Sequence, residues 1–137
     1  MKHLSIILAL FIFSATAAQA QAPSAMNYQG IARDASGSLL QNTELSLRIS
    51  ILQGGAEGEN VYSEVHQVVT DRAGQFSLRL GDGLASGSSF DMIDWHRDHH
   101  WLRVEMDETG GTDFALLGTS QLLTVPYAMY AVKDGCL

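Results

Sequence analysis

One cysteine stands in the 137 residues, Cys136. A single thiol cannot build an internal disulfide framework, so stability has to come from a hydrophobic core. Its penultimate position also excludes a prenylation box, which needs the cysteine four from the end. On a chain end it reads as a solvent-exposed bystander, with an intermolecular disulfide between tails as the sharper alternative. Basic residues are scarce as well: 8 Lys and Arg stand against 15 Asp and Glu, a formal charge of −7. With no basic run, the chain does not suit nucleic acid or an anionic membrane surface. The acidic surplus serves solubility and keeps copies apart. Beyond Phe13 no apolar segment is long enough to span a bilayer.

Catalytic signatures are missing too. There is no H-E-x-x-H, no G-x-S-x-G, and no Ser or Cys set beside His and a carboxylate in a recognisable pattern. Gly81-Asp-Gly83 lacks the helix and lysine of a phosphate cradle and reads as a turn. The expectation is a non-enzyme with no cofactor.

What is present begins with a leader. Lys2 and His3 precede an apolar run, Leu4 to Phe13, and small residues come after it, ending Ala18-Gln19-Ala20. A basic start, a hydrophobic middle and an A-x-A site are the layout of a secretory signal peptide. Residues 1–20 are therefore expected to be removed. No cysteine near the cut could accept a bacterial lipid anchor. Without Lys2 the remaining 117 residues carry a formal charge of 7 minus 15, or −8, and suffice for one domain. The expected destination is extracellular, at the cell surface or in the periplasm.

The mature chain is organised around Glu44 to Leu52. Leu45, Leu47, Ile49 and Ile51 alternate with Glu44, Ser46, Arg48 and Ser50, which predicts a strand with one buried and one wet face. A first strand is expected over Met26–Arg33, with Met26, Tyr28, Gly30 and Ala32 on one side. The Asp34–Gly37 turn comes next, and the Gly-rich stretch Gln53–Asn60 breaks any regular pattern. Val61–Thr70 reads as a long strand with Tyr62, His66 and Val68 on one face. The turn Asp71–Gly74 and the alternating Gln75–Leu80 make it the strongest hairpin signal in the chain. Gly81–Ser89 reads as a loop, Phe90–Trp95 as one helical turn capped by Ser89, and Trp101–Asp107 as a strand. Phe114–Leu117 and Gln121–Val125 are the last extended pieces. Gly118 marks a bulge or bend between them, and Pro126 ends the pairing. Short strands between turns, with no long amphipathic helix, predict an all-β fold: an antiparallel β-sandwich of about seven strands over residues 21–131.

Three clusters invite a functional reading. His96, His99 and His100, with Asp94 and Asp98, could ligate zinc or copper, but adjacent histidines in an extended segment face opposite ways. A solvated loop is the commoner outcome. Asp107–Asp113 has carboxylates around glycines, as calcium loops do, without their ligand spacing. Tyr127, Met129 and Tyr130 come after Pro126. They either pack back on the sandwich or form a protein contact surface. Trp95 and Trp101 could stack on sugars, although Trp in a sandwich is usually core.

Three stretches resemble a known module. Asn27-Tyr-Gln-Gly-Ile-Ala-Arg-Asp-Ala-Ser-Gly37 is similar to the opening of a family of exported proteins from Bacteroidetes-type bacteria. Ile93-Asp-Trp95 with Trp101-Leu-Arg-Val-Glu-Met-Asp107 resembles its middle, and Ser120-Gln-Leu-Leu-Thr-Val-Pro-Tyr-Ala-Met-Tyr-Ala131 its closing signature. The family's module is an N-terminal head leading into collagen-like repeats or a tail-fibre-like stalk. The resemblance implies a cell-surface or extracellular structural protein, with Tyr127, Met129 and Tyr130 where head meets stalk and chains come together. Its expected partners are protein (the stalk or a second copy) or a glycan. Ala32–Leu80 is also similar to the prealbumin-like sandwich of carboxypeptidase regulatory domains. The sequence stops six residues after Ala131, so residues 132–137 read as a tail or as the truncated start of a stalk.

Overall fold

The structure, a computed structural model, describes residues 25–123. The expected leader at residues 1–20, Tyr127, Met129, Tyr130 and Cys136 lie outside the described residues. Among the described residues seven strands run in order: β1 (Met26–Ile31), β2 (Glu44–Gln53), β3 (Glu59–Val69), β4 (Gln75–Leu80), β5 (Leu84–Ser86), β6 (His100–Asp107) and β7 (Ala115–Gln121). They form two antiparallel sheets, one of five strands in the order β5-β3-β2-β6-β7 and one of two, β1-β4. The architecture is the expected β-sandwich. No helix among the described residues is long and apolar enough to cross a membrane.

Strand β2 is the centre of the large sheet, paired with β3 on one side and β6 on the other. Leu45, Leu47, Ile49 and Ile51 are fully buried against Phe76, Leu78 and Leu80 of the small sheet and Leu102, Val104 and Met106 of β6. Each such side chain contributes about 1.5–3 kcal/mol by leaving water.

The opposite face of β2 is not wet. Ser46 and Ser50 are fully buried, and the β6–β7 connection folds back over Ser46 and Arg48. Ser46 Oγ donates to Gly111 O at 2.5 Å. Arg48 donates to both carboxylate oxygens of Glu105 at 2.6 and 3.0 Å and lies 4.6 Å from the centroid of the Phe114 ring. Ser50 Oγ bonds Ser63 Oγ at 2.8 Å. Alternation located the strand's two faces; the loop that covers the second face comes from over fifty residues away.

The expected β3–β4 hairpin does not form. Strand β3 pairs with β2 and β5, while β4 pairs with β1 in the other sheet. The turn is an arch between sheets. Asp71 Oδ1 accepts from the Ala73 and Gln75 amides, and Gly74 takes φ 72°. The outward backbone groups of the arch are claimed by other segments: Ala32 N donates to Gly74 O, and Asn42 N to Asp71 O. Thr70 Oγ1 accepts from Thr43 N and donates to Leu40 O, fastening the end of β3 to the lead-in of β2.

Smaller expectations divide. The even residues of β1 turn inward from Tyr28 on, while Met26 stays exposed: Ala32 is buried just past the strand's end, and Gly30 is needed because a Cβ there would sit 2.7 Å from Phe76 Cζ. Gly81–Ser89 is not all loop, since β5 pairs Leu84–Ser86 with β3. The helical turn is a short 3-10 segment, Phe90–Met92. Ser89 stands at its start without a side-chain cap, its carbonyl accepting from Met92 N instead. The last strand is continuous, and its register slips opposite Val104/Glu105, beside Gly118.

Candidate functional site

The residue that sequence reading missed is Glu64. Tyr62, Glu64 and His66 are spaced by two on β3, so all three share its inner face. Glu64 has no exposed surface. Its Oε2 accepts from Tyr62 OH at 2.5 Å and its Oε1 lies 2.6 Å from His66 Nε2. The Gly81 amide, at the end of β4, reaches both oxygens at 2.9 and 3.0 Å. Burial alone would raise this carboxyl's pKa. The bonds from His66, Tyr62 and Gly81 outweigh it and hold the group below the ordinary range. Tyr62 moves the other way: burial, then the hydrogen bond to Glu64 and its charge, push the phenol up. Gly83 leaves no room beside this cluster, since a Cβ there would lie 2.6 Å from His66 Nε2.

The donors converge on one acceptor and are spent on it. The arrangement ties β3 of the large sheet to the end of β4 in the small one. A carboxylate on an otherwise apolar strand face, flanked at two-residue spacing by Tyr and His, was the available signal.

The other acidic turns are likewise satisfied from within. Asp107 Oδ1 accepts from Thr109 Oγ1 and Thr109 N, and Oδ2 from Asp113 N; the Thr109 hydroxyl leads in lowering its pKa. Asp34 Oδ1 accepts from Ser36 Oγ, Ser36 N and Ser38 N across the first turn.

The histidine loop does not gather its imidazoles. His96 and His99 are exposed, while His100 is buried on β6. The His100 ring lies 4.9 Å from that of Trp95, which meets Phe90, which in turn meets Tyr62 edge-on at 5.4 Å. This aromatic row closes one end of the core. Among the described residues no three His, Cys, Asp or Glu side chains come close enough to share a metal ion, and His100 Nε2 has no partner. Trp101 points to the opposite face of β6, half-buried.

The surface left unfinished lies between β1 and β7. Each is an edge strand, and no hydrogen bond joins them among the described residues. A groove of about 620 Å³ separates them, with the buried Phe76 and Val104 at its base, Tyr28 and Ile31 on one wall, and Leu117 and Thr119 on the other. Ile31 is 57% exposed, Leu116 63% and Leu117 46%. An exposed apolar strand edge is a template for pairing with another strand.

The family described as a domain of unknown function, DUF8740, matches residues 27–121. The chain belongs to it. The span of DUF8740 runs from the second residue of β1 to the last of β7. It holds the Glu64 cluster and both walls of the open groove, and stops short of Tyr127. No curated protein matches the chain, and no solved structure does.

Proposed function

We propose that this DUF8740 domain is a non-catalytic structural and interaction module, exported from the cell and serving as the head of a surface or extracellular fibrous assembly. One observation carries the reading: the open β1/β7 side, where two strand edges that are unpaired among the described residues and the exposed Ile31 and Leu117 border a groove. The polar clusters support it from the other direction. The carboxylates of Glu64, Asp107 and Asp34 are occupied by the protein's own donors. The leader at residues 1–20 and the likeness of the opening, middle and closing stretches to exported fibre heads supply the setting.

The test is recovery of the protein from its source. An antibody to residues 25–123 should label intact cells or the medium, and the labelled material should sediment as part of a larger particle. Changing Leu117→Lys, on the wall of the groove, should release the domain from that particle without unfolding it. Recovery as a free cytosolic monomer, or turnover of a small substrate by the pure processed chain, would overturn the proposal.

A further inference from the structure

We infer that the open groove is a strand-addition site for an uncharged, extended segment of another polypeptide. The segment pairs with the free edge of β1, becomes a third strand of the small sheet, and sets a large apolar side chain over Phe76 and Val104. This occupant presupposes the β1/β7 side as a contact surface, the reading given above.

The main chain decides which edge is used. Strand β1 pairs with β4 in unbroken register from Met26 to Ile31, and just beyond it Ala32 N donates to Gly74 O. In an antiparallel pair, residues that exchange bonds alternate with residues whose N–H and C=O point away. The backbone groups of Ala32, Gly30 and Tyr28 therefore face β4. Those of Asn27, Gln29 and Ile31 turn outward, where they find no partner among the described residues. An extended chain is the ligand that meets such a row at that spacing. Strand β7 is the poorer template. Its register slips so that Leu117 has no partner on β6, and an extra residue of this kind bends a strand and spoils its edge for pairing. Leu117 serves as apolar wall instead.

The side chains decide what the segment carries. Inward side chains of an added strand fall beside Tyr28 and Gly30, where Phe76 and Val104 form the floor and Gly30 sends nothing across it. A large apolar side chain fits that place. Charge does not. Neither β1 nor β7 contains a charged residue. The charged groups of the lining are engaged: Arg33 Nη1 donates to Gly37 O, and Asp34 Oδ1 accepts from Ser36 and Ser38. A charge brought in without a counter-ion is costly to bury. A second copy would bring the domain's own acidic surplus to the contact, which a foreign uncharged segment does not.

A displayed library of peptides about seven residues long, with apolar and uncharged polar residues alternating, tests this on the processed chain. Captured peptides should share a large apolar residue at one central position, and Leu117→Lys should weaken them about ten-fold or more. With a captured peptide bound, the amides of Asn27, Gln29 and Ile31 should exchange about ten-fold more slowly, while those of Tyr28 and Gly30 keep their rates. Methylating alternate amide nitrogens of the peptide should abolish binding, because a strand pairs through them and an apolar plug does not. No capture, or capture without protection at 27, 29 and 31, overturns the inference. So does protection of those three amides before any peptide is added: constant with dilution, it means the chain closes its own groove; lost on dilution, it means a second copy does. Surface labelling and release from the particle by Leu117→Lys are separate readouts. A failure here that leaves them intact removes the added strand and keeps the module.

Discussion

Where β3 gives way to β4, an arch and one buried carboxylate hold the two sheets together. Across the molecule, β1 and β7 face each other with no hydrogen bond between them. Both sides mix apolar and polar residues: β3 carries four Val and β7 two Leu. The difference is in what the connecting chain supplies. On the closed side, Asp71 caps its own arch, Ala32 and Asn42 take up the arch's outward carbonyls, and Glu64 reaches across to Gly81. On the open side no such tie is found among the described residues, which end at Leu123. A sandwich is sealed by its connections as much as by its strands.

Removing the strongest tie on the closed side should give the largest effect. Glu64→Ala leaves the Tyr62 hydroxyl, the His66 ring and the Gly81 amide without their common acceptor, and should cost about 3–5 kcal/mol. Urea unfolding monitored by fluorescence would measure it, and a loss under about 1 kcal/mol would mean water replaces the carboxylate freely. The same tie is sensitive to acid. Glu64 titrates below its ordinary range in the fold, so the folded state binds fewer protons than the unfolded one between the two values. Its contribution is complete above the unfolded value of about 4.3 and disappears as pH falls through the folded value. Glu105, held down by Arg48, has the same sign. The urea midpoint should be level from about pH 7 to pH 5 and fall below about pH 4. Glu64→Gln should flatten that fall, and an equally steep fall in the variant would remove Glu64 from the account.

Strand identity compares the sides more directly. Leu47→Ala in β2 should cost about 2–5 kcal/mol, because the site is closed on every side. Leu116→Ala in β7, at 63% exposure, should change stability by less than about 0.5 kcal/mol. If the two losses were equal, Leu116 would be covered in solution.

The same contrast explains how much of the fold was legible in the sequence. The strands, their inward faces and the need for Gly30 against Phe76 are local matters, and period-two alternation with turn residues reports them. Partner choice is not local. Asp71-Arg-Ala-Gly74 reads as a hairpin turn by itself, and becomes an arch because residues 32 and 42 capture its backbone. Nor does alternation say that Gly111 and Phe114 will lie over Ser46 and Arg48. Glu64 was readable in principle, since a carboxylate on a strand's apolar face must find donors. What donates from outside the strand, the Gly81 amide, could not be read.

The gentlest comparison sets one glycine on each wall of the groove against the other. A Cβ on Gly30 would press on Phe76 at 2.7 Å, a ring held in the core, whereas a Cβ on Gly118 meets nothing within 4 Å. Gly30→Ala should therefore cost about 1–3 kcal/mol through overpacking, and Phe76→Leu should relieve part of that cost by shortening the opposing side chain. Gly118→Ala should be neutral, or stabilise by about 0.5 kcal/mol through reduced freedom in the unfolded chain. Thermal unfolding of the three variants would resolve both. If Gly118→Ala instead destabilised by as much as Gly30→Ala, something would already stand against β7. In that event the groove is occupied in solution.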